Sequence, residues 1–171
     1  MPAQLSPTEH STSLARLIEY QFLAELLQEA WFGRNMLIDV MYSSVDAFGY
    51  DLVLESGDVI RHVQLKTRAA KGRTSDYALQ LSLGERPAGC VVWFGYRRRP
   101  DTNRLDLEYR FFGGSPHERL PDLGEVSVHH SRRNKDGDLV VRPGLRKVKL
   151  TAFQKLDGIP ALLDQLFGPA D

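Results

Sequence analysis

The chain has 171 residues, 22 Lys plus Arg against 22 Asp plus Glu, and a formal net charge of zero. With 42% apolar and 26% charged residues it has the make-up of one globular domain with a sizeable core, which excludes wholesale disorder and collagen-like or repeat architectures. The single cysteine, Cys90, excludes an internal disulfide, and no apolar stretch approaches the ~20 residues that span a bilayer, so a cytoplasmic protein with no membrane partner is expected.

Residues 1–12, rich in Ser, Thr and Pro, read as a loose lead-in to one domain over 13–168. From Ser13 to about Phe32, Leu14, Leu17, Ile18, Phe22, Leu23, Leu26, Leu27, Ala30 and Trp31 recur at helical spacing, and Gly33 stops the run. Asn35 to Tyr42 suits a short buried strand. Tyr50 to Glu55 and Val59 to Thr67 flank the turn Ser56-Gly57-Asp58 and form a hairpin.

Tyr77, Leu79, Leu81 and Leu83 alternate as a half-buried strand, Cys90 opens a buried one, and Leu105 to Phe112 alternates again. Gly113 to Gly124 reads as a long surface loop. Val126 to His130, Leu139 to Val141 and Arg146 to Leu150 are short strand candidates. Thr151 with Gln154 three residues on looks like a capping box opening a final helix, which Gly158 and Pro160 would kink. Helix, strands, helix in that order predicts one α/β or α+β domain.

Neutrality conceals a gradient along the chain. Residues 1–60 hold 2 basic against 9 acidic side chains, residues 61–104 hold 10 against 3, and residues 128–149 hold 7 against 2. Arg97-Arg98-Arg99 alone reads as a solvated loop.

The most specific pattern is the hairpin itself. Gln64 and Lys66 share one face of the second strand with Ile60 and His62, and folding about Gly57 brings Asp51 opposite residue 63 or 64. With 64 opposite, a carboxylate, an amide oxygen and an ammonium gather at one place. Phosphodiester hydrolysis uses such a set: oxygen donors hold a hard divalent cation, Mg²⁺ or Mn²⁺, and the ammonium orients the water that attacks. Glu19 falls among Leu23, Leu26 and Ala30 on the apolar side of its helix, where a carboxylate is paired, as to Arg16, protonated or bound to a metal. His62 reads as a structural histidine, and His129 and His130, adjacent on a strand, face opposite ways.

Glu19, then Gly49-Tyr50-Asp51-Leu52, then Val63-Gln64-Leu65-Lys66-Thr67 resembles the PD-(D/E)XK nuclease superfamily, most clearly over residues 14–67, and within it the small Holliday-junction-resolvase-like and uncharacterised bacterial branches. The resemblance implies a restriction-endonuclease-like fold, a mixed central sheet flanked by an N-terminal and a C-terminal helix, and a Mg²⁺-dependent (or Mn²⁺-dependent) endonuclease acting on DNA. It makes Asp51 the acidic metal ligand, Lys66 the catalytic lysine and Glu19 the carboxylate of the first helix, with Gln64 and the Leu65 carbonyl completing the metal site. Gln64 stands where the family usually has Asp or Glu, and Tyr50 where it usually has Pro. Arg68, Lys71 and Arg73, directly after Lys66, are the expected phosphate contacts. A homodimer is compatible with the resemblance. The alternative readings are a catalytically inactive nuclease-fold module that binds nucleic acid or a protein partner, and a structural interaction domain outside the superfamily, in which Glu19, Asp51, Gln64 and Lys66 would not converge in space.

Overall fold

In a computed structural model of the chain, residues 6, 9–45, 48–70, 72–133, 135 and 137–170 are described. The chain starts with α1, Ser11–Gln28, which runs on through a π-helical turn at Glu29–Gly33. Ile18, Phe22, Leu23, Leu26 and then Ala30 are buried, a stripe at helical spacing that fixes which side of α1 meets the sheet. The lead-in over 1–12 falls largely outside the described residues, and α1 begins two residues earlier than the periodicity predicts.

Strands β1 (Asp39–Tyr42), β2 (Leu52–Ser56) and β3 (Val59–Ala69) form an antiparallel meander, with β2 and β3 joined at Gly57. Gly57 takes a positive φ of 61°, which the tight turn requires. Next come β4 (Asp76–Gln80) and a single helical turn, α2 (Leu81–Gly84), where the sequence had predicted continued strand. After them β5 (Gly89–Arg98) pairs parallel with β3, and β6 (Leu105–Gly113) pairs antiparallel with β5.

Two expectations for the C-terminal third are corrected. The two candidates Leu139–Val141 and Arg146–Leu150 merge, all but Leu150, into one strand, β8 (Leu139–Lys149), which pairs with β7 (Ser127–Arg133) and β4. Its partners on β7 jump from Arg142 opposite Val128 to Arg146 opposite Ser127, so Pro143 and Gly144 are taken up in a bulge and do not end the strand. Thr151 caps no helix. Leu150–Ala152 is a 3₁₀ turn, and Gln154–Leu156 is an edge strand, β9, on β6. The last helix, α3, is Gly158–Phe167, so Pro160 lies in its first turn, where a missing N–H costs little.

The main sheet has the order β1-β2-β3-β5-β6-β9, and β4-β8-β7 form a second, three-stranded sheet. The chain is therefore mixed α and β around a mixed sheet. One core joins α1 and α3 to one face of the main sheet, through Phe22, Leu26, Val63, Val92, Phe94 and Leu163 among others. On the other face Val91, Trp93 and Phe112 pack with Tyr77, Leu79 and Val148 of the small sheet and with Leu120 and Leu123 of the 113–124 loop. Both helices thus lie on the same face, and that loop is pinned by two buried leucines. No helix of the described residues is long and apolar enough to cross a membrane.

Candidate metal and catalytic site

The register of the hairpin decides where the polar residues go. Leu52 pairs with Val63, which places Asp51, one residue before β2, across from Gln64. Asp51 straddles that position: its backbone N–H donates to the Val63 carbonyl at 2.9 Å, and its carboxylate accepts the Leu65 N–H at 2.6 Å. Just upstream, Gly49 holds φ at 78°, and a Cβ there would come within 2.7 Å of the Gln80 Cβ. Only glycine therefore lets the chain enter Asp51 along this path.

A strand residue points its N–H and C=O to the same side, so the Leu65 carbonyl also faces the β2 side of β3, beyond the end of β2. Glu19 reaches the same place from α1. Glu19, Asp51, Leu65 and Thr67 line a cavity of about 160 Å³, floored by Phe94. A wider cleft of about 310 Å³ opens from it, bounded by Glu19, Asp51, Arg16 and Tyr42. The inner space is roomy enough for a few water molecules.

Glu19 Oε1 is buried with no hydrogen-bond partner, and no ion pair to Arg16 forms among the described residues. Tyr42 lies beside this carboxylate. Its phenol is pushed up from its ordinary value by burial first and then by the charge and hydrogen bonding of Glu19, while Arg16 acts in the opposite direction. A carboxylate with an orphaned oxygen, a second carboxylate and a strand-end carbonyl suit a hard divalent cation. Among the described residues no group of three or more His, Cys, Asp and Glu is close enough to hold a metal, so this set has two carboxylates.

Gln64 and Lys66 share a face, as alternation requires, but it is not the face lining the cavity. Val63 and Leu65 belong to the core under α1, whereas Val91 and Trp93, paired with Gln64 and Lys66, belong to the core of the other face. The buried Gln64 Oε1 has no hydrogen-bond partner. The structure thus joins Glu19, Asp51 and Leu65, and leaves Gln64 and Lys66 on the opposite side of the same strand. Thr67 and Tyr42 line the site without having been singled out in the sequence; for Thr67 the signal was its spacing of two from Leu65.

Of the expected phosphate contacts, Arg73 is exposed, whereas Arg68 stacks on Trp93 at 5.3 Å and donates to the Thr74 carbonyl. Lys71 lies outside the described residues. Arg97 and Arg99 pair with Asp106 at 3.4 and 2.6 Å, which holds the Asp106 carboxyl below its usual range. His62 donates its Nδ1–H to the Pro87 carbonyl at 2.8 Å and meets Tyr50 edge-on, a structural placement.

The sequence did not single out Arg61, which is fully buried. It donates to the Ser115 and Gly114 carbonyls at 2.7 and 3.1 Å and lies over the Phe111 ring. The signal was its phase, between Val59 and Val63 on the buried side of β3. No protein-family model, curated protein or solved structure matches this chain.

Proposed function

We propose that this chain is a divalent-metal-dependent nuclease with a restriction-endonuclease-like core of the PD-(D/E)XK type, acting on DNA. One observation carries the reading: Glu19 from α1 and Asp51 from the start of β2 line one small cavity where β3 runs on past β2, and Glu19 brings a buried oxygen that lacks a partner. A mixed sheet with α1 packed on the β1-β2-β3 meander supports the fold assignment.

Glu19, Asp51 and the Leu65 carbonyl would hold the cation, whereas Gln64, buried on the other face of β3, stands outside this set. Bound Mg²⁺ or Mn²⁺ supplies a polarised phosphodiester and a more acidic water. Asp51, tied to the Leu65 N–H, presents its charge from a fixed position. Lys66 is the water-orienting lysine that the resemblance implies; it stands on the face of β3 opposite Leu65 and Thr67, so Lys66→Ala tests whether it takes part at all. Arg73, Lys147 and Lys149, all exposed, offer phosphate contacts.

A second reading, an inactive nuclease-fold module that binds nucleic acid, is favoured by Gln64 in place of an acid and by a site with two carboxylates. Incubation with duplex, single-stranded and branched DNA plus Mg²⁺ or Mn²⁺ separates them. The nuclease reading expects cleavage that is lost in Asp51→Ala and Lys66→Ala. Binding without cleavage favours the module, and cleavage surviving both substitutions contradicts the assignment.

A further inference from the structure

Helix α1 is apolar on two faces. Opposite its buried stripe, Leu17, Tyr20, Ala24, Leu27 and Trp31 recur at spacings of three, four, three and four, the pattern of a helix–helix seam. Leu17 is 53% exposed, Tyr20 57%, Leu27 36% and Trp31 61%, and the neighbouring Phe32 is 83% exposed. A surface helix normally keeps its outer face polar; one that is apolar all round is a buried helix.

The seam is self-complementary. Laid antiparallel on a second copy with Ala24 facing Ala24, Tyr20 meets Leu27 and Leu17 meets Trp31, so every outer layer sets an aromatic ring against a leucine. The small residue at the centre allows close approach. The acidic N-terminal segment, with 9 acidic side chains in its first 60 residues, puts neutral Gln21 and Gln28 beside the seam, so two copies meet without opposed carboxylates there. Area points the same way. Aromatic side chains carry about 150–250 Å² each, so Tyr20 and Trp31, 57% and 61% exposed, alone present roughly 240 Å², nearly a third of the ~800 Å² per partner of a standard interface. Leu17, Leu27, Ala24 and the exposed stem of Gln28 add to this.

We infer that α1 is the surface through which two copies of this chain pair, antiparallel about a two-fold axis at Ala24. This does not depend on the nuclease reading. The test is mass by light scattering across micromolar concentrations, with oxidative cross-linking of cysteine variants. Wild type is expected at twice the chain mass, and Leu27→Glu and Trp31→Glu at the single-chain mass with unchanged circular dichroism. Ala24→Cys should cross-link to a covalent dimer. Ser13→Cys should not, since an antiparallel pair sets those positions about 33 Å apart along the axis. Cys90 is buried and does not compete. A wild-type chain that stays monomeric, glutamate variants that stay dimeric, or Ser13→Cys linking as readily as Ala24→Cys would overturn the inference. The cysteine pair decides even where a glutamate variant does not fold.

Discussion

The Asp51 carboxylate accepts the backbone N–H of Leu65 at 2.6 Å, joining the start of β2 to the stretch of β3 that outruns it. An N–H bonded to a carboxylate oxygen is in general stronger than one bonded to a neutral acceptor. Asp51→Asn keeps an oxygen for the Leu65 N–H while removing the charge; Asp51→Ala removes both. We predict a loss of about 1 kcal/mol or less for Asn and about 1.5–2 kcal/mol for Ala in urea unfolding. Equal losses would mean that the bond does not hold the strand end.

Gly49 tests how Asp51 is delivered. With φ at 78° and the Gln80 Cβ only 2.7 Å from where a Cβ would stand, Gly49→Ala combines strain with a clash. A destabilisation of about 1–3 kcal/mol is expected. Stability within experimental error of wild type would show that this segment relaxes freely.

Arg61 is a buried cation held by the Gly114 and Ser115 carbonyls. Arg61→Ala strands both acceptors and leaves a hole, and should cost about 3 kcal/mol or more in chemical denaturation. Arg61→Lys should recover part of that loss, because an ammonium can still donate to one of them. A near-neutral Arg61→Ala would show that water replaces the guanidinium.

Stability should fall in alkali. Burial pushes the Cys90 thiol up, with Arg61 opposing, and burial followed by Glu25 pushes the Tyr109 phenol up. Both groups keep their protons in the fold at pH values where the unfolded chain has lost them. Their contribution is therefore full below the ordinary thiol pKa of about 8.5 and declines above it, and the phenol adds its share above about 10. Each group contributes at most about 1.4 kcal/mol per pH unit. Unfolding free energy that is flat from neutral to strongly alkaline pH would contradict this.

Much of the scaffold was legible because it rests on local periodicity: the inner stripe of α1, the hairpin about Gly57, and the alternation that puts Gln64 and Lys66 on one face. What was not legible depends on partners far along the chain. Alternation cannot say which face of β3 meets α1; packing of Val63 and Leu65 under that helix decides it, and so puts Thr67 rather than Lys66 in the Glu19–Asp51 cavity. The Thr151–Gln154 spacing suits a capping box, yet pairing of Gln154 with Phe111 draws this stretch into the sheet edge. Leu17 and Trp31 fit the helical period, but period alone does not separate the core face from an exposed one.

The most direct measurement is thermal unfolding titrated with Mn²⁺ for wild type, Glu19→Gln and Asp51→Asn. If Glu19 and Asp51 hold a cation together, wild type is stabilised by about 2.7 kcal/mol at a free concentration of one hundred times Kd, and each variant loses most of that response. An unresponsive wild type, or variants that respond as strongly as wild type, would contradict a metal site between these two carboxylates.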